Sequence, residues 1–200
     1  PVARRHPVHD IKLGLQFVFQ HPLLKPVFIT QLIFGAAAFM IIAVFVPYAV
    51  RHLHLNATGV GAVLAMYGGG MVVGALLATR VMRWLPFGTV IALGPATGFV
   101  ASLVMALTVW WPSPWLAALS FFLLGVGPII WVISTTTLRQ SVTPPSLLGR
   151  VSALNILSYG ARPIGTALAA VVGALYGDEF CLYRAVAVFR WQALRTLTSP

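Results

Sequence analysis

V-F-I-T-Q-L-I-F-G-A-A-A-F-M-I-I-A-V-F-V-P-Y-A-V, running from Val27 to Val50, contains no charged side chain. A helix needs roughly 20 mostly apolar residues to cross about 30 Å of hydrocarbon, and this stretch is long enough. Working outward, Val60–Ala78, Val90–Trp110 and Trp115–Leu138 repeat the pattern without a charge, and Val151–Tyr176 repeats it with Asn155, Ser158 and Arg162 inside. The expected architecture is all-α: an integral membrane helical bundle over 27–177 with five spans, about 27–50, 60–78, 90–110, 115–138 and 151–176. A linker precedes it at 1–26, and an aberrant tail, a degenerate or missing last helix, follows at 178–200.

Composition agrees with a lipid solvent. The chain is 59% hydrophobic and 8% charged, with a mean hydropathy of +0.92, whereas a soluble domain carries about 25% charge. Its formal charge of +10 is spread between the apolar runs rather than clustered, which excludes a nucleic-acid interface and fits the excess of bases found in cytoplasmic loops. Arg4, Arg5, Lys12 and Lys25 precede the first span, Arg80 and Arg83 join the second to the third, and Arg139 and Arg150 join the fourth to the fifth. All fall on one side, so the amino terminus is expected in the cytoplasm. Arg184, Arg190 and Arg195 then break the rule if the chain crosses only five times, which suggests a truncated or frame-altered end. The chain begins with Pro1 and no signal peptide opens it, so it reads as a piece of something longer.

Asp10–Gln20 places Ile11, Leu15, Val18 and Phe19 at helical spacing, as an interfacial amphipathic helix ended by Pro22 would. The run Trp110-Trp111-Pro112-Ser113-Pro114-Trp115 reads as a tight hairpin anchored at the headgroups.

Small residues recur at four-residue spacing: Gly70, Gly74 and Ala78; Gly94 and Gly98; Gly165, Ala169 and Gly173. Such rows let helix backbones approach closely in lipid. Pro47, Pro95, Pro128 and Pro163 each remove a backbone donor and tend to kink their helices.

Arg162 is the leading functional candidate, since an ionisable group deep in a span usually faces the bundle interior or a watery path. Helical geometry puts Asn155, Ser158 and Tyr159 on its side. The stripe can bind an anionic solute group, or Arg162 can simply snorkel or pair with a carbonyl. Gln31 and the run Ser134, Thr135, Thr136 and Thr137 are further polar groups, the hydroxyls being as able to bond preceding carbonyls.

Enzyme chemistry has no foothold: the spans hold no carboxylate or histidine, and His6, His9, His21, His52 and His54 all lie in loops. Neither a metal nor a cofactor is expected, the lone Cys181 makes no disulfide framework, and Asn56-Ala57-Thr58 is too short a pattern to count as a glycosylation site.

Three segments carry a resemblance. T-L-R-Q-S-V-T-P-P-S-L-L-G-R-V-S-A-L-N from Thr137, followed by G-A-R-P-I-G from Gly160, is similar to the loop and eleventh helix of major facilitator superfamily transporters. I-K-L-G-L-Q-F-V-F-Q-H-P-L-L-K-P from Ile11 and G-A-L-L-A-T-R-V-M-R-W-L from Gly74 resemble the branch containing the enterobactin exporter and related drug-efflux proteins. The resemblance spans about Asp10 to Gly177 and implies the carboxy-terminal half of a twelve-helix secondary active transporter in a plasma membrane, in bacteria the inner membrane. It implies alternating access, export of a small solute such as a siderophore or drug-like compound, the missing amino-terminal half as partner, and protons as the usual coupling ion. The chain departs from the superfamily in lacking a recognisable twelfth helix and the acidic residues of the loop after Ala78. Two rival readings stay open: a non-transporting membrane scaffold or inactive relic of a disrupted transporter gene, and a membrane-embedded enzyme.

Overall fold

A computed structural model describes residues 7–145 and 147–198, so Arg4, Arg5 and His6 lie outside the described residues. Eight helices follow one another among them: α1 (Pro7–Gln20), α2 (Leu24–Arg51), α3 (Ala57–Trp84), α4 (Phe87–Trp110), α5 (Pro114–Val142), α6 (Leu148–Ser158), α7 (Ala161–Tyr176) and α8 (Asp178–Thr198). Helices α2 and α3 each have 28 residues, about 42 Å at 1.5 Å per residue, more than the hydrocarbon requires. Five helical stretches are long and apolar enough to cross a membrane, the α6–α7 pair counting as one.

Local chemistry sets the ends. The Asn56 side chain accepts from the Gly59 backbone N–H at 2.8 Å, capping α3, which gives the Asn56-Ala57-Thr58 motif a structural use. Pro86 precedes α4 and Pro114 opens α5, where a missing N–H costs nothing. Trp110, Trp111 and Trp115 at the α4–α5 hairpin are largely exposed, as headgroup anchors are.

The fifth span is not the continuous helix expected from Val151 to Tyr176: it breaks at Tyr159–Gly160. Pro163 has no N–H to give the Tyr159 carbonyl four residues back, and its ring crowds that carbonyl. The Tyr159 oxygen accepts instead from Arg162 N at 3.1 Å, and Tyr159 N donates to Ile156 O at 3.0 Å. By contrast Pro47, Pro95 and Pro128 sit within unbroken helices.

The bundle also continues where the sequence reading stopped it. Residues 178–198 form α8, which packs against α2, α4 and α7. Cys181, Leu182, Ala185, Phe189 and Ala193 are buried along one stripe, while Arg184, Arg190 and Arg195 stay exposed on the others. Arg184 lies 5.0 Å from the Phe180 ring centroid and Arg195 4.8 Å from that of Trp191. Low overall hydropathy hid this helix because the arginines dilute a narrow but complete apolar face. It runs back to the end of the bundle where α2 begins, although by length and composition it is not among the five stretches apolar enough to cross a membrane.

Packing repeats after three spans. Helix α3 packs most extensively on α5 and α7 on α2; α4 lies on α5 and α8 on α2; α4 and α8 lie together. Both tight pairs rest on glycines: a Cβ on Gly70 would overlap the Phe122 carbonyl of α5, and one on Gly165 the Ala36 carbonyl of α2. Gly125 of α5 meets the Tyr67 carbonyl in return, so these backbones touch directly. Gly74 meets Ile129 and Val126, and Gly94 abuts Trp131. Gly98 faces Phe189 and Phe34, whereas a Cβ on Gly173 would make only ordinary contacts, 3.6 Å from Asp178 and 3.8 Å from Cys181.

At one end of the bundle α1 lies on α6, with Val18, Leu24, Val151 and Leu154 buried together and Gly14 against Leu154. Of the four apolar residues expected on one face of α1, only Val18 is buried; Ile11, Leu15 and Phe19 remain exposed. The exposed three are placed to enter a lipid interface while Val18 fastens the helix to the bundle. Arg80 and Arg83 near the end of α3, Arg139 in the last turn of α5 and Arg150 in the first turn of α6 share this end. At the other end Arg51 pairs with Asp178 at 3.4 Å and His52 lies 3.6 Å from Glu179.

Candidate functional site

Helices α2, α3, α5 and the broken α6–α7 pair enclose a cavity of about 200 Å³. Its wall comprises Gln31, Phe34, Gly35, Ala38 and Phe39 from α2, Tyr67 and Met71 from α3, and Gly125, Pro128, Ile129, Trp131 and Val132 from α5. Ser158, Tyr159 and Arg162 complete it. Most of these positions fall in the central third of their helices, so the cavity lies at mid-depth. Helices α4 and α8 supply no wall residue; they stand behind, and Gly94 and Gly98 of α4 seat Trp131, Phe34 and Phe189.

Arg162 is partly buried. Its guanidinium carbon lies 4.1 Å from the Tyr159 ring centroid and 5.1 Å from that of Phe39, and its stem runs over Gly35. No described carboxylate pairs with it: Asp178 and Glu179 are at the far end with Arg51 and His52. The rings hold the cation by its quadrupole attraction, so the N–H groups remain to be used.

The helix break decides what the polar stripe does. Gln31 Nε2 donates to Ser158 Oγ at 2.7 Å, and Ser158 Oγ donates to the Asn155 carbonyl at 2.6 Å. These bonds clamp the end of α6 to α2 across the cavity floor. Asn155 itself lines a neighbouring crevice of about 20 Å³ with Gln31, Thr135 and Arg139. Of the five path candidates, Gln31, Ser158, Tyr159 and Arg162 therefore meet in one cavity, while Asn155 lies beside it.

The hydroxyl run is mostly internal. Ser134, Thr135 and Thr137 donate to the carbonyls of Ile130, Trp131 and Ile133, and Thr136 accepts from Arg139 at 3.2 Å. Sequence reasoning missed Phe39, Tyr67 and Trp131 as wall residues, because an aromatic in an apolar run carries no mark of its facing. One signal was present: Tyr67 precedes the close-packed Gly70 by the three residues that separate Arg162 from Gly165.

The described residues thus form an all-helical bundle with five stretches able to span a membrane and a mid-depth cavity that bears a cation. The sequence profile of the Major Facilitator Superfamily matches residues 2–170. The chain belongs to the Major Facilitator Superfamily. It is a multi-pass membrane protein of a transporter family and not an enzyme. Neither the curated proteins nor the solved structures give a significant match.

Proposed function

We propose that the chain is the carboxy-terminal half of a secondary active transporter that exports a small solute, siderophore-like or drug-like, by alternating access. The observation that carries this reading is the central cavity, in which a partly buried arginine with no carboxylate partner among the described residues faces an aromatic wall. Intramembrane cations are costly and persist chiefly where they serve a path or a ligand. The cavity is bordered by α3 and α7, whose outward faces expose Val72, Leu76, Ile164, Leu168, Val171 and Leu175. A second six-helix half seated on those faces would enclose the cavity between two rocking bodies.

The orientation proposed is the one that charge supports: the end holding Arg80, Arg83, Arg139 and Arg150 in the cytoplasm, the Asp178–Glu179 end outside. The membrane proposed is the plasma membrane. If protons drive export, the carrier lies elsewhere than this cavity wall, which holds no carboxylate or histidine.

Solute accumulation in cells expressing the intact gene product tests the proposal. Arg162→Ala should raise accumulation of the exported solute by about tenfold at an unchanged protein level, the loss expected when a charged hydrogen bond to the cargo disappears. Unchanged accumulation would remove Arg162 from the site.

A further inference from the structure

Resting on that reading, we infer that the solute is a small organic monoanion: a carboxylate attached to a flat apolar body, held by Arg162 at its charged end and by the aromatic wall of Phe39, Tyr67 and Tyr159 along that body.

Arg162 is the observation that carries it. The guanidinium is held by ring faces, 4.1 Å from the Tyr159 centroid and 5.1 Å from that of Phe39, in a cavity whose wall is otherwise rich in aromatic side chains. Trp131 contributes surface only, since it is 2% exposed and packed against Phe34 with centroids 5.6 Å apart.

The formal charge of the wall is one-sided. Arg162 is a cation and a donor only, and no described carboxylate reaches the cavity. A cationic solute would therefore meet a like charge and no counter-charge, and a neutral one would leave the guanidinium unanswered in a low-dielectric setting. A carboxylate matches the planar fork of Arg with two parallel bonds. Phe39, Tyr67 and Tyr159 offer aromatic surface to a ring.

The test uses the intact gene product, purified in detergent, with 2-naphthoate as the probe and 2-naphthamide and 2-naphthylmethylammonium as its neutral and cationic counterparts, followed by calorimetry. The naphthoate should bind at least about tenfold more tightly than either counterpart. Arg162→Gln should abolish that preference and Arg162→Lys should keep part of it. Equal binding of the three probes, or a charge preference that survives Arg162→Gln, overturns the inference. The two proposals fail separately. If Arg162→Ala impairs export while naphthoate shows no preference, the substrate class is wrong and the site stands; if export ignores Arg162, the site itself falls.

Discussion

Among single residues, Ser158 shows how a polar side chain in a span divides its duties. It accepts from Gln31 and donates to the Asn155 carbonyl, both within the turn before the helix breaks. Interhelical hydrogen bonds in membranes average about 0.6 kcal/mol and reach about 1.7, so Ser158→Ala should lower the melting temperature in detergent only slightly. It should, however, free the end of α6 from α2 and reduce export more than its small stability cost explains. A melting curve beside a solute-accumulation assay checks this; parallel falls in both would make Ser158 an ordinary packing residue. Arg162 differs because, among the described residues, none accepts a hydrogen bond from its guanidinium, which rests on the Tyr159 and Phe39 rings. Its presence in a span was plain in the sequence, but that Tyr159 and Phe39 rather than a carboxylate would hold it was not, since Phe39 lies on another helix.

Helix pairing depends on where a glycine lies as well as on its spacing. Gly165 and Gly173 occupy the same four-residue row, yet only Gly165 touches a neighbouring backbone. Gly165→Ala should force α7 off α2 and cost about 1–3 kcal/mol, as overpacking does. Gly173→Ala should be neutral or gain up to about 1 kcal/mol from helix propensity. Thermal melts of the two variants decide the matter, and equal shifts would refute the packing account. The row was legible from spacing alone; which member bears the contact was not, because Gly165 lies against Ala36 of α2 whereas Gly173 lies near Asp178 and Cys181 of α8.

Across the whole molecule the two ends carry different chemistry, basic at the starts of α2 and α6 and acidic after α7. In a background where the buried Cys181 is replaced by Ala, a membrane-impermeant maleimide should label Thr58→Cys in intact cells and Gly88→Cys only after permeabilisation. Labelling of both from outside would contradict the proposed orientation. The position of α8 belongs to this scale too: packed along α2 and α4, it brings Arg195 to the basic end, in the last turn of its helix, where a cation also complements the dipole.

The amino-acid sequence determined the solvent, the five strong spans, the separation of charge between the two ends and the presence of a cation in the bundle. Each of these follows from local composition, because hydrocarbon thickness and the cost of burying charge act on a segment without reference to its neighbours. Only the tertiary structure decided that α8 completes the bundle, that Pro163 breaks the fifth span at Tyr159, and that Trp131, Tyr67 and Phe39 share a cavity with Arg162. Those outcomes depend on which faces of different helices meet, and facing is fixed by close backbone contact between segments as much as 130 residues apart, roughly the separation of Gly165 from Ala36.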